Sequence, residues 1–199
     1  MTAPGRYGRS TALVVVDVQN DFADPNGSLY VEGGEDVPAA TNEQIAAARE
    51  AGAFVVYSQD WHPAETPHFA AQGGVWPVHC VGGTWGAEFH PDLDVADDAE
   101  VLRKGTGGED GYSVFTVRDP ETGEEAATSL ERILRERGIE RLVVAGLATD
   151  YCVKDTVLDA RRLGFPVTVV TAAIRAVNLQ EDDGARAEQQ MRGAGAELA

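Results

Sequence analysis

The sequence predicts an α/β fold: a three-layer, doubly wound and mostly parallel sheet with helices on both faces. Two observations lead to this prediction. Short apolar runs alternate along the chain with segments of helical periodicity, and most of these runs are apolar at successive positions. Such runs are typical of parallel strands that are buried on both faces. A length of 199 residues suits one domain, so we expect a single domain over residues 1–199.

The predicted strands are the apolar runs that end at polar residues or glycine. The first, residues 13–18, stops before the polar cluster Gln19, Asn20 and Asp21. The second, residues 54–58, ends just before Asp60. The later strands are residues 101–104, 141–145 and 167–170, with a short edge strand at 197–199.

The predicted helices show apolar residues at helical spacing and end near glycine. In one of them Val153, Val157 and Ala160 form an apolar stripe, and Gly164 lies just beyond its end, as helix C-termini favour. Another ends near Gly52. The four predicted helices are residues 38–51, 128–137, 150–163 and 181–191.

Three of the four histidines and one aspartate lie close together in the sequence, at Asp60, His62, His68 and His79. They begin a segment, residues 61–91, that is rich in Gly, Pro and Trp and reads as a long functional loop. Three imidazoles and a carboxylate can close around one divalent metal. Spacing alone also allows a structural zinc that pins this loop with all four ligands.

A second group of chemically capable residues falls at the carboxyl ends of predicted strands, where ligands bind in such sheets. Asp17 ends the first strand, Lys104 ends the third, and Cys152 follows the fourth. A thiol at a helix start is favoured as thiolate, and a buried aspartate has a raised pKa suited to a base. Each residue taken alone is more often structural, but their shared position favours an Asp–Lys–Cys catalytic trio.

Composition excludes several classes of function. The formal net charge is −17, which disfavours nucleic acid and anionic membranes as partners. No apolar run is long enough for a membrane helix, and the first ten residues lack the apolar core of a signal peptide. Only two cysteines are present, Cys80 and Cys152, so we expect reduced thiols and a cytoplasmic location.

The chain resembles nicotinamidases (pyrazinamidases), within the isochorismatase-like cysteine hydrolases. The Asp, Lys and Cys set matches the wider superfamily, whereas the Asp-x-His, His and Trp-Pro-x-His pattern matches the nicotinamidase branch. The matching motifs extend over about residues 12–170. They are Val16-Asp17-Val18-Gln19-Asn20-Asp21-Phe22, Asp60-Trp61-His62, His68-Phe69, Trp76-Pro77-Val78-His79-Cys80, Phe89-His90-Pro91, Lys104-Gly105 and Ala148-Thr149-Asp150-Tyr151-Cys152.

The resemblance implies a role for each matching residue. Cys152 would be the nucleophile, Asp17 the general base and then acid, and Lys104 the group that tunes both. The Leu147–Ala148 peptide would be cis, and the N–H groups of Ala148 and Cys152 would form the oxyanion hole. Phe22, Trp76 and Tyr112 would bind the aromatic ring, and the metal ligands would be Asp60, His62, His68 and His79.

The resemblance also implies a reaction, the hydrolysis of nicotinamide to nicotinate and ammonia through a cysteine thioester, with pyrazinamide-type analogues also accepted. One divalent metal would position the pyridine nitrogen. Zinc is the expected metal, although iron(II) and manganese(II) suit the same ligands. The partner is a small molecule, and the sequence leaves association into homo-oligomers open.

Two other functions fit parts of the pattern. One is a cysteine hydrolase of the same fold acting on another amide or on an isochorismate-like vinyl ether, which needs no metal cluster. The other is a non-catalytic module that binds pyridine-type ligands, which needs no catalytic trio.

A few residues keep open roles. The segment 105–111, with Glu109 and Asp110, does not match the family pattern cleanly. We expect Cys80 to be a structural free thiol and His90 to pack or cap a turn. Asp150 either caps the helix that carries Cys152 or orients the catalytic region.

Overall fold

A six-stranded, entirely parallel sheet forms the centre of the computed structural model, which describes residues 6–199. Its strand order is β3-β2-β1-β6-β7-β8, so the chain winds outward from β1 in both directions, as the sequence predicted. No helix among these described residues is long and apolar enough to cross a membrane. The strands of this sheet are β1 (Thr11–Val16), β2 (Phe54–Asp60), β3 (Glu100–Lys104), β6 (Arg141–Leu147), β7 (Val167–Arg175) and β8 (Glu197–Leu198).

The strand β1 lies at the centre of the sheet and is buried along its whole length. Its alternate residues enter two separate hydrophobic cores, with Val14 in one and Leu13 and Val15 in the other. This two-sided burial explains why the strand is a continuous apolar run. The predicted strand 13–18 was wrong at its end, because Asp17 adopts a left-handed backbone conformation (φ 49°) that stops the strand at Val16.

Helices cover both faces of the sheet. On one face α2 packs through Ile45 and Ala48, and on the other face the later helices pack through Leu134, Val157 and Met191. These are the apolar positions that give the segments their helical periodicity. The helices are α1 (Asn20–Ala23), α2 (Val37–Glu50), α3 (Leu130–Glu136), α4 (Lys154–Arg162) and α5 (Asp183–Gly193).

The sequence missed some elements and misplaced others. The four-residue α1 was not predicted, nor was the antiparallel pair β4 (Thr116–Arg118) and β5 (Glu125–Ala127), which stands outside the main sheet. The predicted helix 150–163 was wrong at its start, because Thr149–Val153 forms a turn of π-helix before α4. These pieces are too short to show a clear periodicity, since each spans only one turn or three strand positions.

A glycine allows β1 and β6 to approach closely at their carboxyl ends. Gly146 has φ +123°, and a Cβ atom placed there would lie 2.0 Å from the carbonyl oxygen of Val16. Both the backbone angle and the contact exclude a larger residue. This close approach sets the spacing of the sheet edge on which Asp17 and Cys152 lie.

We therefore expect Gly146→Ala to lower the free energy of unfolding by about 3 kcal/mol or more, because strain and overpacking act together. Urea unfolding followed by tryptophan fluorescence measures the change. The control is Gly193→Ala, where a Cβ atom meets nothing within 4 Å and alanine favours the helix. Equal stability of the two variants would contradict this account.

Candidate active site

The carboxyl edge of the sheet brings four chemically capable residues together. Asp17 follows β1, Asp60 and Lys104 are the last residues of β2 and β3, and Cys152 lies beyond β6. All four are buried. Because parallel strands present their carboxyl ends at one edge, residues far apart in sequence meet here. The expected grouping of these positions at one edge is confirmed.

Lys104 is the centre of this group. Its Nζ atom lies 2.8 Å from Asp17 Oδ2 and 3.8 Å from Cys152 Sγ, and it also contacts Asp60 Oδ1 and the carbonyl oxygen of Gly111. Burial alone would lower the pKa of Lys104, but the two carboxylates outweigh it and raise that pKa well above its usual value. Lys104 therefore stays protonated and offsets the buried negative charge.

Asp17 is suited to accept a proton from the thiol. Burial raises the pKa of Asp17 to about 6, although Lys104 and a 2.6 Å hydrogen bond donated by Ser58 Oγ oppose the rise. Burial also raises the pKa of Cys152 well above its usual value. At neutral pH the resting thiol is protonated and Asp17 is largely ionised, which is the pairing that general base catalysis needs.

The thiol is presented by a tight turn between β6 and α4. The Leu147–Ala148 peptide is cis, as the resemblance implied, and the following π-helical turn carries Cys152. The carbonyl oxygen of Ala148 accepts hydrogen bonds from the N–H groups of Tyr151 and Val153, each at 3.1 Å. The turn is therefore held by its own backbone, and Cys152 precedes α4 rather than opening it.

Beside the thiol, three histidines form a buried cluster. One ring nitrogen from each of His62, His68 and His79 lies within 4.8 Å of the others, and the rings of His62 and His68 stack with centroids 4.6 Å apart. Within residues 6–199, both ring nitrogens of His62 are buried without a hydrogen-bond partner. Orphaned buried nitrogens are costly unless something else binds them, so the cluster fits a metal ion.

Two of these histidines have Nδ1 beside an oxygen atom, an arrangement that favours a free lone pair on Nε2. His68 Nδ1 lies 2.6 Å from Asp110 Oδ1, and His79 Nδ1 lies 2.8 Å from the carbonyl oxygen of Pro77. If each Nδ1 donates its proton to that oxygen, Nε2 keeps a free lone pair. Burial lowers the pKa of both rings, to about 4 for His79, so they are neutral at neutral pH.

Asp60 connects the histidines to the catalytic group. Its Oδ1 contacts Lys104, whereas its Oδ2 lies 3.8 Å from His62 Nε2. Burial would raise the pKa of Asp60, but Lys104 and His62 lower it below its usual value. Asp60 thus remains ionised and offers one oxygen to the position that faces the histidines.

An aromatic pocket opens between the histidines and the thiol. Trp76 forms one wall, fixed by a 2.7 Å hydrogen bond from its Nε1 to Tyr112 Oη and by the edge of Tyr151 with ring centroids 4.8 Å apart. Phe22 lies against His79, with centroids 5.6 Å apart. The pocket is lined by Phe22, Leu29, Asp60, His68, Trp76, His79, Tyr112, Ala148, Tyr151, Cys152 and Val177.

Three consecutive residues reach three parts of this site. Asp110 contacts His68, the carbonyl of Gly111 contacts Lys104, and Tyr112 holds Trp76. The sequence placed Tyr112 in the pocket but left the segment 105–111 without a role. Nothing in its spacing announces Asp110, because only the folded loop brings it to His68.

Ser58 was also missed, and here a signal existed. It precedes Asp60 by two positions on β2, so both side chains project from the same side of that strand. A hydroxyl two residues before a carboxylate at the end of a strand lies on the same face of the sheet as that carboxylate. Its bond to Asp17 makes it part of the site.

The residues with open roles are now placed. Asp150 is not a helix cap; its two carboxylate oxygens accept the backbone N–H groups of Val177 and Asn178, each at 2.9 Å, which ties the thiol-bearing turn to the pocket wall. His90 accepts the N–H of Asp92 at 3.2 Å and so caps a turn. Cys80 is a buried free thiol.

Comparison with known proteins agrees with this geometry. Residues 11–199 match the Isochorismatase domain family. The chain belongs to the isochorismatase family. Its α/β architecture is that of the family's solved structures, among them the pyrazinamidase of Pyrococcus horikoshii in complex with zinc, to which it is 38% identical with a TM-score of 0.84, covering 96% of this chain and 98% of that one.

Two other known proteins are also similar to this chain over most of its length. The nicotinamidase of Escherichia coli (strain K12) is 42% identical over 203 residues, covering 94% of this chain and 93% of the relative. The structure of PnC1 from L. infantum in complex with nicotinate is 34% identical with a TM-score of 0.86, covering 96% of this chain and 92% of that one.

The shared cation at the sheet edge leads to a stability prediction. We expect Lys104→Met to destabilise the protein by about 3–5 kcal/mol at pH 7, because two buried carboxylates lose their positive partner. The loss should shrink towards pH 5. Without Lys104 the folded-state pKa values of these carboxyls rise above their unfolded values, so the folded variant gains protons as pH falls.

Urea unfolding at both pH values, each compared with the parent protein, measures this effect. The matched control is Lys154→Met, since Lys154 lies closer to solvent and contacts a backbone carbonyl and Asp155. A Lys104→Met loss no larger than that of the control would contradict the role given to Lys104.

Proposed function

We propose that this chain is a metal-dependent amidohydrolase that converts nicotinamide to nicotinate and ammonia through a thioester on Cys152. The observation that carries the proposal is one pocket lined by Cys152 and by His68 and His79 of the histidine cluster, with an Asp17 carboxylate oxygen within 4.8 Å of the thiol sulfur. The activity and ligand in the names of the relatives, nicotinamidase and nicotinate, fit that pocket. Pyrazinamide-type analogues present the same amide on a similar six-membered aromatic ring that contains nitrogen, and pyrazinamidase is among the similar structures.

The aromatic walls orient the substrate. Phe22 and Trp76 would stack on the two faces or edges of a pyridine ring, and Tyr112 keeps Trp76 in place through its hydroxyl. Such flat, rigid walls select a planar aromatic amide and turn its carbonyl towards Cys152. Binding energy from the ring thus serves to position the amide for attack.

The metal would be held by Asp60, His62, His68 and His79. When bound, it would supply a positive centre that can hold the ring nitrogen of the pyridine. We propose zinc, because imidazole and carboxylate ligands suit it and a similar pyrazinamidase is described with zinc. Iron(II) and manganese(II) suit the same donors.

The chemistry at the amide then falls to the catalytic trio. Asp17 takes the proton from Cys152 Sγ, and the thiolate attacks the carbonyl carbon. The N–H groups of Ala148 and Cys152 hold the oxyanion, while Lys104 stabilises the charge around the thiolate. Asp17 then gives this proton to the amide nitrogen as the C–N bond breaks, which releases ammonia and leaves the thioester on Cys152.

Hydrolysis of the thioester completes the cycle. Asp17, now ionised again, removes a proton from a water molecule that attacks the acyl carbon. The C–S bond breaks, nicotinate leaves, and the thiol of Cys152 regains a proton. The same carboxylate therefore serves both halves of the reaction, for which a pKa near neutrality is suited.

The remaining features are proposed on sequence grounds. We propose one domain with a small-molecule substrate as partner, without nucleic acid or membrane as partners, and a cytoplasmic location. These follow from the acidic composition and from the two free thiols. Association into homo-oligomers stays open.

The first test removes the nucleophile. Cys152→Ala should lower ammonia release from nicotinamide by at least about 10³-fold, because no other group can form the thioester. Elemental analysis should find about one divalent metal per chain in both parent and variant. Cys80→Ala is the control, since that thiol lies outside the pocket, and it should keep most of the activity. Undiminished turnover by Cys152→Ala would refute the mechanism.

The second test concerns the base. Asp17 must be ionised to act, so kcat/KM should fall as pH drops through about 6. Ser58 stabilises the ionised form, so Ser58→Ala should raise the pKa of Asp17 and move this acidic limb to higher pH by about one to two units. The control is Ser113→Ala, because the Ser113 hydroxyl accepts the N–H of Phe115 and makes no hydrogen bond with Asp17 among the described residues. An unshifted limb in Ser58→Ala would exclude Asp17 as the titrating base.

A further inference from the structure

A carboxylate outside the expected ligand set reaches the histidine cluster. Asp110 Oδ1 lies 2.6 Å from His68 Nδ1, at the near limit of a charge-assisted hydrogen bond. We infer that Asp110 is the positioning residue that fixes His68 as a metal ligand. This inference rests on the proposed metal site, because it assigns a task to one residue beside that site.

The geometry determines what Asp110 does to the ring. A carboxylate only accepts, so His68 Nδ1 carries the proton and Nε2 presents its lone pair. The other face of the site holds His68 through stacking on His62, with centroids 4.6 Å apart and planes at 20°. Stacking restrains the plane of the ring but does not choose its tautomer. The tautomer therefore depends on Asp110.

Asp110 is itself firmly held. Its backbone N–H and C=O both pair with those of Arg118 at 2.7 Å, in an antiparallel bridge to the last residue of β4. The same loop is tied at Gly108, whose carbonyl accepts Thr66 Oγ1–H at 2.9 Å. The side chain of Asp110 is about one-fifth exposed. A buttressed carboxylate orients a ligand better than a mobile one, because less freedom is lost on binding.

Charge supports the same assignment. In the buried group Lys104 already offsets one of the two carboxylates Asp17 and Asp60. The other, together with Asp110, leaves two negative charges to balance a divalent cation. Because a metal draws electron density from His68, an anion on the far nitrogen strengthens that bond more than a neutral acceptor would. At His79, by comparison, the acceptor beside Nδ1 is the neutral carbonyl of Pro77.

The neighbouring residue provides a matched control. The carboxylate of Glu109 turns back to accept the N–H of Gly107 at 2.8 Å, in an exposed position. It contacts none of the histidines by hydrogen bond or ion pair among residues 6–199. Glu109→Gln removes the same charge one position away and leaves the bond to His68 intact.

The experiment measures zinc affinity by competition with a chromogenic chelator, using the full chain. Asp110→Ala should bind zinc about 10- to 100-fold more weakly than the parent. Asp110→Asn keeps an acceptor for the ring N–H but loses the charge, so its affinity should lie between the two. Glu109→Gln should match the parent. Thermal unfolding of the metal-free proteins should give similar Tm values, which separates ligand positioning from a general loss of structure.

A double-mutant cycle tests whether the effect passes through His68. In a His68→Ala background, Asp110→Ala should change zinc affinity by less than about twofold, because the ring it orients is gone. A full-sized loss in that background, or equal losses from Glu109→Gln and Asp110→Asn, would overturn the inference. If the parent binds zinc and releases ammonia, and Asp110→Ala binds zinc equally well, only the inference about Asp110 fails. If the parent binds no zinc, both the proposed metal site and the inference fail.

Discussion

The structure of this site depends on one buried cation. Lys104 lies between Asp17 and Asp60 with almost no exposure, and its charge is what allows two carboxylates to remain at the edge of a hydrophobic sheet. Burial of such charges costs several kcal/mol each unless they are paired and hydrogen-bonded. The carbonyl of Gly111 completes the environment of the ammonium. Without this arrangement Asp17 and Asp60 could not both stay ionised in place.

The same cation separates two tasks while keeping them adjacent. Asp17 has its pKa raised by burial and faces the thiol, whereas Asp60 has its pKa lowered and faces His62. The surroundings thus shift the pKa values of these two neighbouring carboxylates in opposite directions. Asp17 becomes suited to accept a proton, whereas Asp60 stays ionised beside a histidine. The aromatic pocket lies between the thiol and the histidines, so one planar molecule can contact both.

Parts of the site come from loops that have no repeating pattern. The segment after β3 delivers Asp110, Gly111 and Tyr112 to a histidine, the lysine and the tryptophan in turn. Gly111 must be glycine, since a Cβ atom there would lie 2.6 Å from the Cβ of Lys104. A carboxylate of the thiol-bearing turn, Asp150, in the same way anchors the wall that holds Val177. Loops positioned by a rigid sheet are a common source of binding residues.

The sequence alone determined the architecture and predicted most of the residues that meet at the candidate site. A strand buried on both faces must be apolar throughout, so β1 and β6 can be recognised as apolar runs. Because the strands are parallel, the residues that follow them lie at one edge of the sheet. The histidine cluster could be recognised because its members are close together in the sequence. Asp110 was not predicted, because its hydrogen bond to His68 joins positions 42 apart through a loop without periodicity. The β4–β5 hairpin that supports it was missed because each of its strands has only three residues. Tertiary structure alone decided which carboxylate meets which ring, and where the left-handed turn at Asp17 ends the first strand, because those outcomes depend on packing between segments rather than on any pattern within one.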